Sequence, residues 1–121
     1  MIVFDASALL AFLQAEPGAS EVDRLLETGG VCGAANWSEI AQKVMAAGAD
    51  WPTSRDILLS YPLSIEPLTI GDAELGASMW RKGSGLSLAD RLCLALGRRL
   101  DADIITTDRE WANLDRVMVI R

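Results

Sequence analysis

The sequence predicts an α/β fold, a three-layer α/β/α sandwich around a central, mainly parallel sheet, in one domain spanning residues 1–121. Three observations support this. Short apolar runs, too short for buried helices, recur along the chain and alternate with segments of helical periodicity. Those runs are apolar almost throughout rather than at every second position, which is the pattern of strands covered on both faces. A length of 121 residues, half of them hydrophobic, gives a core large enough to stand without disulfides or a structural metal.

The elements follow in order. Met1 to Asp5 reads as a buried strand ending in an acid. Ser7 is placed to cap a helix over Ala8 to Gln14, stopped by Glu16-Pro17-Gly18. Pro17 suits the first turn of a second helix, to about Glu27, with Val22, Leu25 and Leu26 on its buried face. Gly30 to Ala34 is a second strand. Asn36 and Glu39 have the spacing of a capping box, so Asn36 opens a helix over Trp37 to Ala47 with Ile40 and Val44 in its apolar stripe. A loop at Asp50-Trp51-Pro52-Thr53 leads to a short helix over Ser54 to Ser60. Leu63 to Leu68, flanked by prolines, is a strand near an edge. Thr69 to Lys82 is helical, and Gly83-Ser84-Gly85 ends it.

A largely buried helix follows, in which Leu88, Leu92 and Leu96 recur at helical spacing before Arg98-Arg99 ends it. Asp90 lies in its first turn, three residues after Ser87, the position of a capping-box acid. Asp103 to Thr106 is another buried strand, Thr107-Asp108 leads into a short helix through Trp111, and Val117 to Ile120 is the last strand.

Composition narrows the chemistry. There are no histidines, which removes histidine general bases, serine–histidine triads and histidine-ligated zinc or iron. Cys32 and Cys93 both lie in apolar surroundings and read as reduced, buried thiols. No apolar run has the length of a membrane span and the first residues have no basic leader, so the expectation is a cytoplasmic protein with no membrane partner. The net charge of −6 weighs against a general affinity for nucleic acid, unless charge is locally arranged or acids are offset by bound cations.

In open parallel sheets, sites form outside the carboxyl ends of the strands. Asp5, Glu39, Asp90 and Asp108 all fall on that rim. Each also has an ordinary local reading, as a strand-end acid, a capping-box partner or an N-cap. Together they are four carboxylates on one edge, which repel unless cations sit among them. Oxygen ligands without histidine point to Mg²⁺, with Mn²⁺ as a substitute. Carboxylates holding such ions, roughly 3.5–4 Å apart where two are present, are the usual apparatus for phosphodiester hydrolysis. Ser7 and Thr106 are placed to orient ligands or a water. Arg91 and Arg109, beside Asp90 and Asp108, are candidate phosphate-binding cations, whereas Arg81-Lys82 and Arg98-Arg99 read as solvated surface. Glu110 and Asp115 are as well explained as surface acids. Trp37, Trp51, Trp80 and Trp111 suit either base stacking or packing, and Trp80 in particular reads as core or dimer interface.

Four motifs then carry a resemblance. Met1-Ile2-Val3-Phe4-Asp5-Ala6-Ser7, Asn36-Trp37-Ser38-Glu39, Leu88-Ala89-Asp90-Arg91 and Ile105-Thr106-Thr107-Asp108-Arg109 stand in the order and approximate spacing of a PIN domain, and look most like the VapC toxins of type II toxin–antitoxin pairs. The resemblance runs over nearly the whole chain. It implies a PIN-like sandwich and a Mg²⁺-dependent endoribonuclease leaving 5′-phosphate and 3′-hydroxyl ends. It also implies Asp5, Glu39, Asp90 and Asp108 as the catalytic, metal-holding acids, a homodimer, and a cognate antitoxin that blocks the site. The acidic charge and the compact middle segment from Gly48 to Leu68 depart from the family's pattern.

Two other readings are possible. A catalytically silent module of the same fold would bind a partner without needing Mg²⁺. A phosphatase with Asp5 as nucleophile would want a second Asp where Ser7 stands, and a downstream Lys that the Asp90 and Asp108 regions do not offer.

Overall fold

The computed structural model describes residues Met1–Arg121. Five strands, β1 (Ile2–Phe4), β2 (Gly30–Gly33), β3 (Leu63–Glu66), β4 (Asp103–Thr106) and β5 (Val117–Val119), form one parallel sheet in the order β3-β2-β1-β4-β5. The chain runs outward from β1 to one edge through β2 and β3, then returns to build the other half with β4 and β5. The N-terminal strand is therefore the centre, with Val3 paired to Val31 on one side and Ile104 on the other.

Alternation along the strands divides the core in two. Phe4, Cys32 and Ile105 face a layer built from α1 (Ala6–Leu13), α2 (Ala19–Thr28), α3 (Ala34–Ala46) and α4 (Trp51–Leu59), which contribute Leu9, Val22, Leu26, Ile40 and Leu58. Val3, Val31 and Ile104 face the other way, against Cys93 and Leu96 of α6 (Leu88–Leu100) and against Trp111. A further helix, α5 (Ile70–Ser78), packs on α6. Both faces of the central strands are dry, hence their unbroken apolar runs. Cys32 and Cys93 are free thiols in the two separate cores, and burial pushes both well above the ordinary thiol range.

Two glycines let these layers approach. A Cβ at Gly30 would stand 2.6 Å from the Phe4 ring, and one at Gly97 would stand 2.8 Å from Ile104 Cδ1. At these positions the absent side chain is occupied space.

Several boundaries differ from expectation, each for a local reason. Asp5, not Ser7, caps α1, because the Asp5 carboxylate accepts the Ala8 amide at 2.9 Å and Ser7 falls inside the first turn. The second helix begins at Ala19, after Pro17, because Gly18 takes a left-handed φ of 97° to turn the chain. The expected capping box of Asn36 and Glu39 does not form. β2 runs directly into α3 at Gly33, so Asn36 lies inside the helix, buried, with its amide donating to the Ala89 carbonyl at 3.3 Å. The expected loop at residues 50–53 is the start of α4, capped by Asp50 with Pro52 in its first turn. α5 stops at Ser78 rather than Lys82, where the Arg81 guanidinium donates to the Ser78 and Trp80 carbonyls. β3 is shorter than expected and lies at an edge. No helix is long and apolar enough to cross a membrane.

Candidate active site

The carboxyl ends of β1 and β4, the first turns of α1 and α6 and the second and third turns of α3 surround a cleft of about 450 Å³. Asp5, Glu39, Asp90 and Asp108 all line it, with Ser7 and Ser87 between them. Four elements far apart in sequence thus bring the four acids to one hollow.

Asp5 lies deepest, 4 % exposed, at the end of the central strand. Ser7 Oγ donates to its carboxylate at 2.8 and 2.9 Å, Thr106 Oγ1 donates at 2.6 Å, and the Ala8 amide at 2.9 Å. The direction of the two hydroxyl bonds follows from what else those hydroxyls do. Ser7 Oγ accepts the Thr107 amide at 3.0 Å, and Thr106 Oγ1 accepts the Asp108 amide at 3.0 Å. The two hydroxyl oxygens also stand 3.1 Å apart, but the carboxylate is the nearer and stronger acceptor for both, so the single hydroxyl proton of each turns to it. Burial nevertheless raises the Asp5 pKa from 3.8 to about 6; the bonds from Thr106, Ala8 and Ser7 oppose the rise and the nearby Asp90 charge adds to it.

The other acids are held more lightly. Asp90 forms the capping box expected of it, Oδ2 accepting the Ser87 amide at 2.9 Å while the Asp90 amide donates to Ser87 Oγ at 3.1 Å. The cap also orients it, since a first-turn acid at the N-terminus of α6 faces the rim. Asp108 caps the 3-10 turn Arg109–Trp111, accepting the Glu110 amide at 2.9 Å, and is exposed. On α3, Glu39 Oε2 accepts from Lys43 Nζ at 2.8 Å, while Glu39 Oε1 is buried with no partner. A buried, unmet carboxylate oxygen costs of order 1–3 kcal/mol, and more when charged, so this atom lacks a donor or a cation. The Asn36–Ala89 bond ties α3 to the start of α6 and thereby fixes Glu39 relative to Asp90.

Neither arginine proposed for substrate lines the cleft. Arg91 points away from it, donating to the Gly76 carbonyl at 3.0 Å across the α5–α6 seam. Arg109 is exposed outside the lining. The cation that does line it is Lys43, half-exposed and one turn beyond Glu39, a spacing visible in the sequence as an i,i+4 acid–base pair. Gln14 and Glu16, after α1, also reach the cleft, whereas Glu110 and Asp115 do not. Of the tryptophans, Trp111 is core, Trp37 and Trp51 pack edge to face with centroids 5.2 Å apart, and Trp80, 58 % exposed, is not part of the core of the chain.

The donors suit a hard divalent cation: all are oxygens, one is buried and unmet, and Asp5 carries a carboxyl whose charged form is disfavoured by burial and would be favoured by a cation. No three of the acidic side chains close on one point as a finished cage.

A parallel sheet of this order with a carboxylate cleft at its carboxyl rim defines a class of acidic-site α/β proteins. The PIN domain family model matches residues 2–117, and the chain belongs to that family. No curated protein sequence matches it. Among solved structures, a toxin–antitoxin complex from Klebsiella pneumoniae superposes with a TM-score of 0.76 at 20 % identity, over 98 % of this chain and 97 % of that one. VapC20 of Mycobacterium tuberculosis, a toxin that cleaves the sarcin–ricin loop, gives 0.76 at 14 % identity over the whole of both chains. VapBC2 of Rickettsia felis, bound to a fragment of its promoter DNA, gives 0.69 at 16 % identity over 98 % and 97 %. At these identities the likeness is one of fold.

Proposed function

We propose that this protein is a Mg²⁺-dependent endoribonuclease, the toxin of a type II toxin–antitoxin pair. The observation that carries the reading is the cleft itself: Asp5, Glu39, Asp90 and Asp108 arrive from four separate elements, with a buried acid at the base and an unmet carboxylate oxygen on its wall. Family membership and the toxins among the structural neighbours support it.

Asp5, Glu39, Asp90 and Asp108 would hold the cation. When bound, a divalent cation makes water a stronger nucleophile and offsets charge on the reacting phosphate. The chain's own groups do the rest. Ser7 and Thr106 keep the Asp5 carboxylate fixed by donating to it, while each hydroxyl oxygen accepts a backbone amide. Lys43 is the one cation on the cleft wall and would meet a phosphate oxygen once Glu39 turns to the metal. Ser7, at the place where an aspartyl phosphatase needs its second acid, is instead engaged in holding Asp5. The partners of this reading are an RNA substrate, a cognate antitoxin protein and a second copy of the chain, acting in the cytoplasm.

The test is incubation of total RNA with purified protein freed of antitoxin, with Mg²⁺, with EDTA, and with Asp5→Asn in parallel. Discrete fragments that need Mg²⁺ and vanish in the variant are the expected result. Fragments that survive the substitution would point to a contaminating nuclease. Clean metal binding without cleavage of any RNA would favour a binding module of the same fold.

A further inference from the structure

We propose that the groove between the segment Met79–Leu86 and the outer face of α6 binds an unpaired stretch of RNA that leads away from the bond to be cut; this rests on the ribonuclease reading above. The groove encloses about 670 Å³, with Leu86, Leu94, Ile104 and Leu114 among its apolar lining and Arg81 and Arg98 among its cations. One end of the groove reaches the cleft, and the other runs along α6 to Arg98 and Arg116. Ser84 and Leu86 line the groove and Ser87 lines the cleft, so one short segment is the wall between them.

Charge decides the occupant. The cleft is lined by five acids and one lysine, so an RNA strand is repelled there except where cations intervene. The groove is lined by three arginines and two aspartates. Arg116 is committed to Asp101 and Asp103. Arg81 donates only to backbone carbonyls, and Arg98, exposed on α6, has no carboxylate partner, in contrast to Arg24, Arg55, Arg99 and Arg116. Lys82, next in the chain, is likewise exposed and unpaired, and Trp80 beside it presents a bare ring. In a chain of net charge −6, unspent cations thus gather next to an apolar trough and an exposed indole. A purely apolar ligand would leave the guanidinium groups unmet, and a duplex keeps its bases stacked inside. A single strand supplies both phosphates for the cations and flat base faces for the trough and the indole.

The experiment is fluorescence anisotropy at low salt with Asp90→Asn protein, which removes cleavage, and a labelled unpaired 12-nucleotide RNA, alone or annealed to its complement. The double variant Arg81→Ala/Arg98→Ala should bind the unpaired RNA at least tenfold more weakly. Asp115→Asn, which removes an acid from the same groove, should bind it more tightly, a change of sign that loss of folding cannot imitate. Trp80→Ala should weaken unpaired RNA more than duplex. Equal affinity in the double variant, equal binding of the duplex, or no binding of RNA by the parent protein would each overturn the proposal. Unchanged RNA affinity with loss of a co-expressed antitoxin would give the groove to a protein partner instead. Intact groove-dependent binding in a protein that never cleaves RNA would overturn the ribonuclease reading and leave the groove standing.

Discussion

Asp5 combines two roles that pull its ionisation in opposite directions. As the cap of α1 and the acceptor from Ser7 and Thr106 it favours the charged form, yet its burial at the end of β1 disfavours that form more strongly. A pKa raised from 3.8 to about 6 makes the stability that this group contributes present in full below pH 3.8, and lost as pH rises through 6. The loss is about 3 kcal/mol at 1.36 per pH unit. Urea unfolding in EDTA at a series of pH values should show it as a decline between about pH 4 and 6.5 in the parent that is absent from Asp5→Asn. Thr106→Val removes the shortest donor and leaves the carboxylate less well met in a buried site, so it should destabilise by about 1–3 kcal/mol and lower cleavage more than Ser38→Ala, a change at an exposed residue. Asp90→Asn keeps an oxygen able to accept the Ser87 amide, so its melting temperature should stay close to the parent's while RNA cleavage is abolished. Full activity in that variant would refute its place in the site.

Helix phase is what the individual elements contribute. Because β2 passes into α3 without a loop, the helix starts three residues before the expected Trp37, and this puts Asn36 against α6 and Glu39 on the cleft wall. Asn36→Ala removes the tie to the Ala89 carbonyl and should reduce cleavage by shifting Glu39, with a cost of about 1–2 kcal/mol in denaturant unfolding. α6 carries a comparable constraint at its other end. Gly97→Ala would place a methyl group 2.8 Å from Ile104 Cδ1 and should destabilise by about 1–3 kcal/mol through overpacking against β4, despite the better helix propensity of alanine. A more stable Gly97→Ala protein would show that the helix can move outward at little cost.

At the scale of the whole molecule, a net charge of −6 is distributed so that the carboxyl rim of the sheet is its most acidic hollow. Mg²⁺ should therefore stabilise the fold, and do so more at pH 7.5 than at pH 5, because protons compete for Asp5 while its pKa stands near 6. Differential scanning fluorimetry with and without Mg²⁺ at the two pH values measures this, and the shift should shrink in Asp90→Asn. An equal shift at both pH values would mean that the cation binds away from Asp5.

The fold was legible because its signals are local. Five short apolar runs, the glycines and prolines between them, and the Ser87–Asp90 capping pair each report a nearby structure, and the strand-to-helix order then requires a covered parallel sheet. Asp5, Asp90 and Asp108 were legible for the same reason, since an acid at a strand end or an N-cap or in a helix first turn has its position set by its own element; Glu39, in the second turn of α3, comes to the rim through the phase of a helix that starts at Ala34. What the sequence left open was decided by packing between distant segments. Arg91, next to Asp90 in the chain, turns to Gly76 because successive residues on a helix point about 100° apart, and α5 occupies that side. Lys43 reaches the cleft because one helical turn restores the direction of Glu39. The groove along α6 exists only where the Met79–Leu86 segment passes that helix, a meeting that no local pattern specifies. The sequence by itself determined the layers and the edge on which the acids stand; the tertiary structure decided which cations face them, because side-chain direction depends on helix phase and on partners remote in the chain.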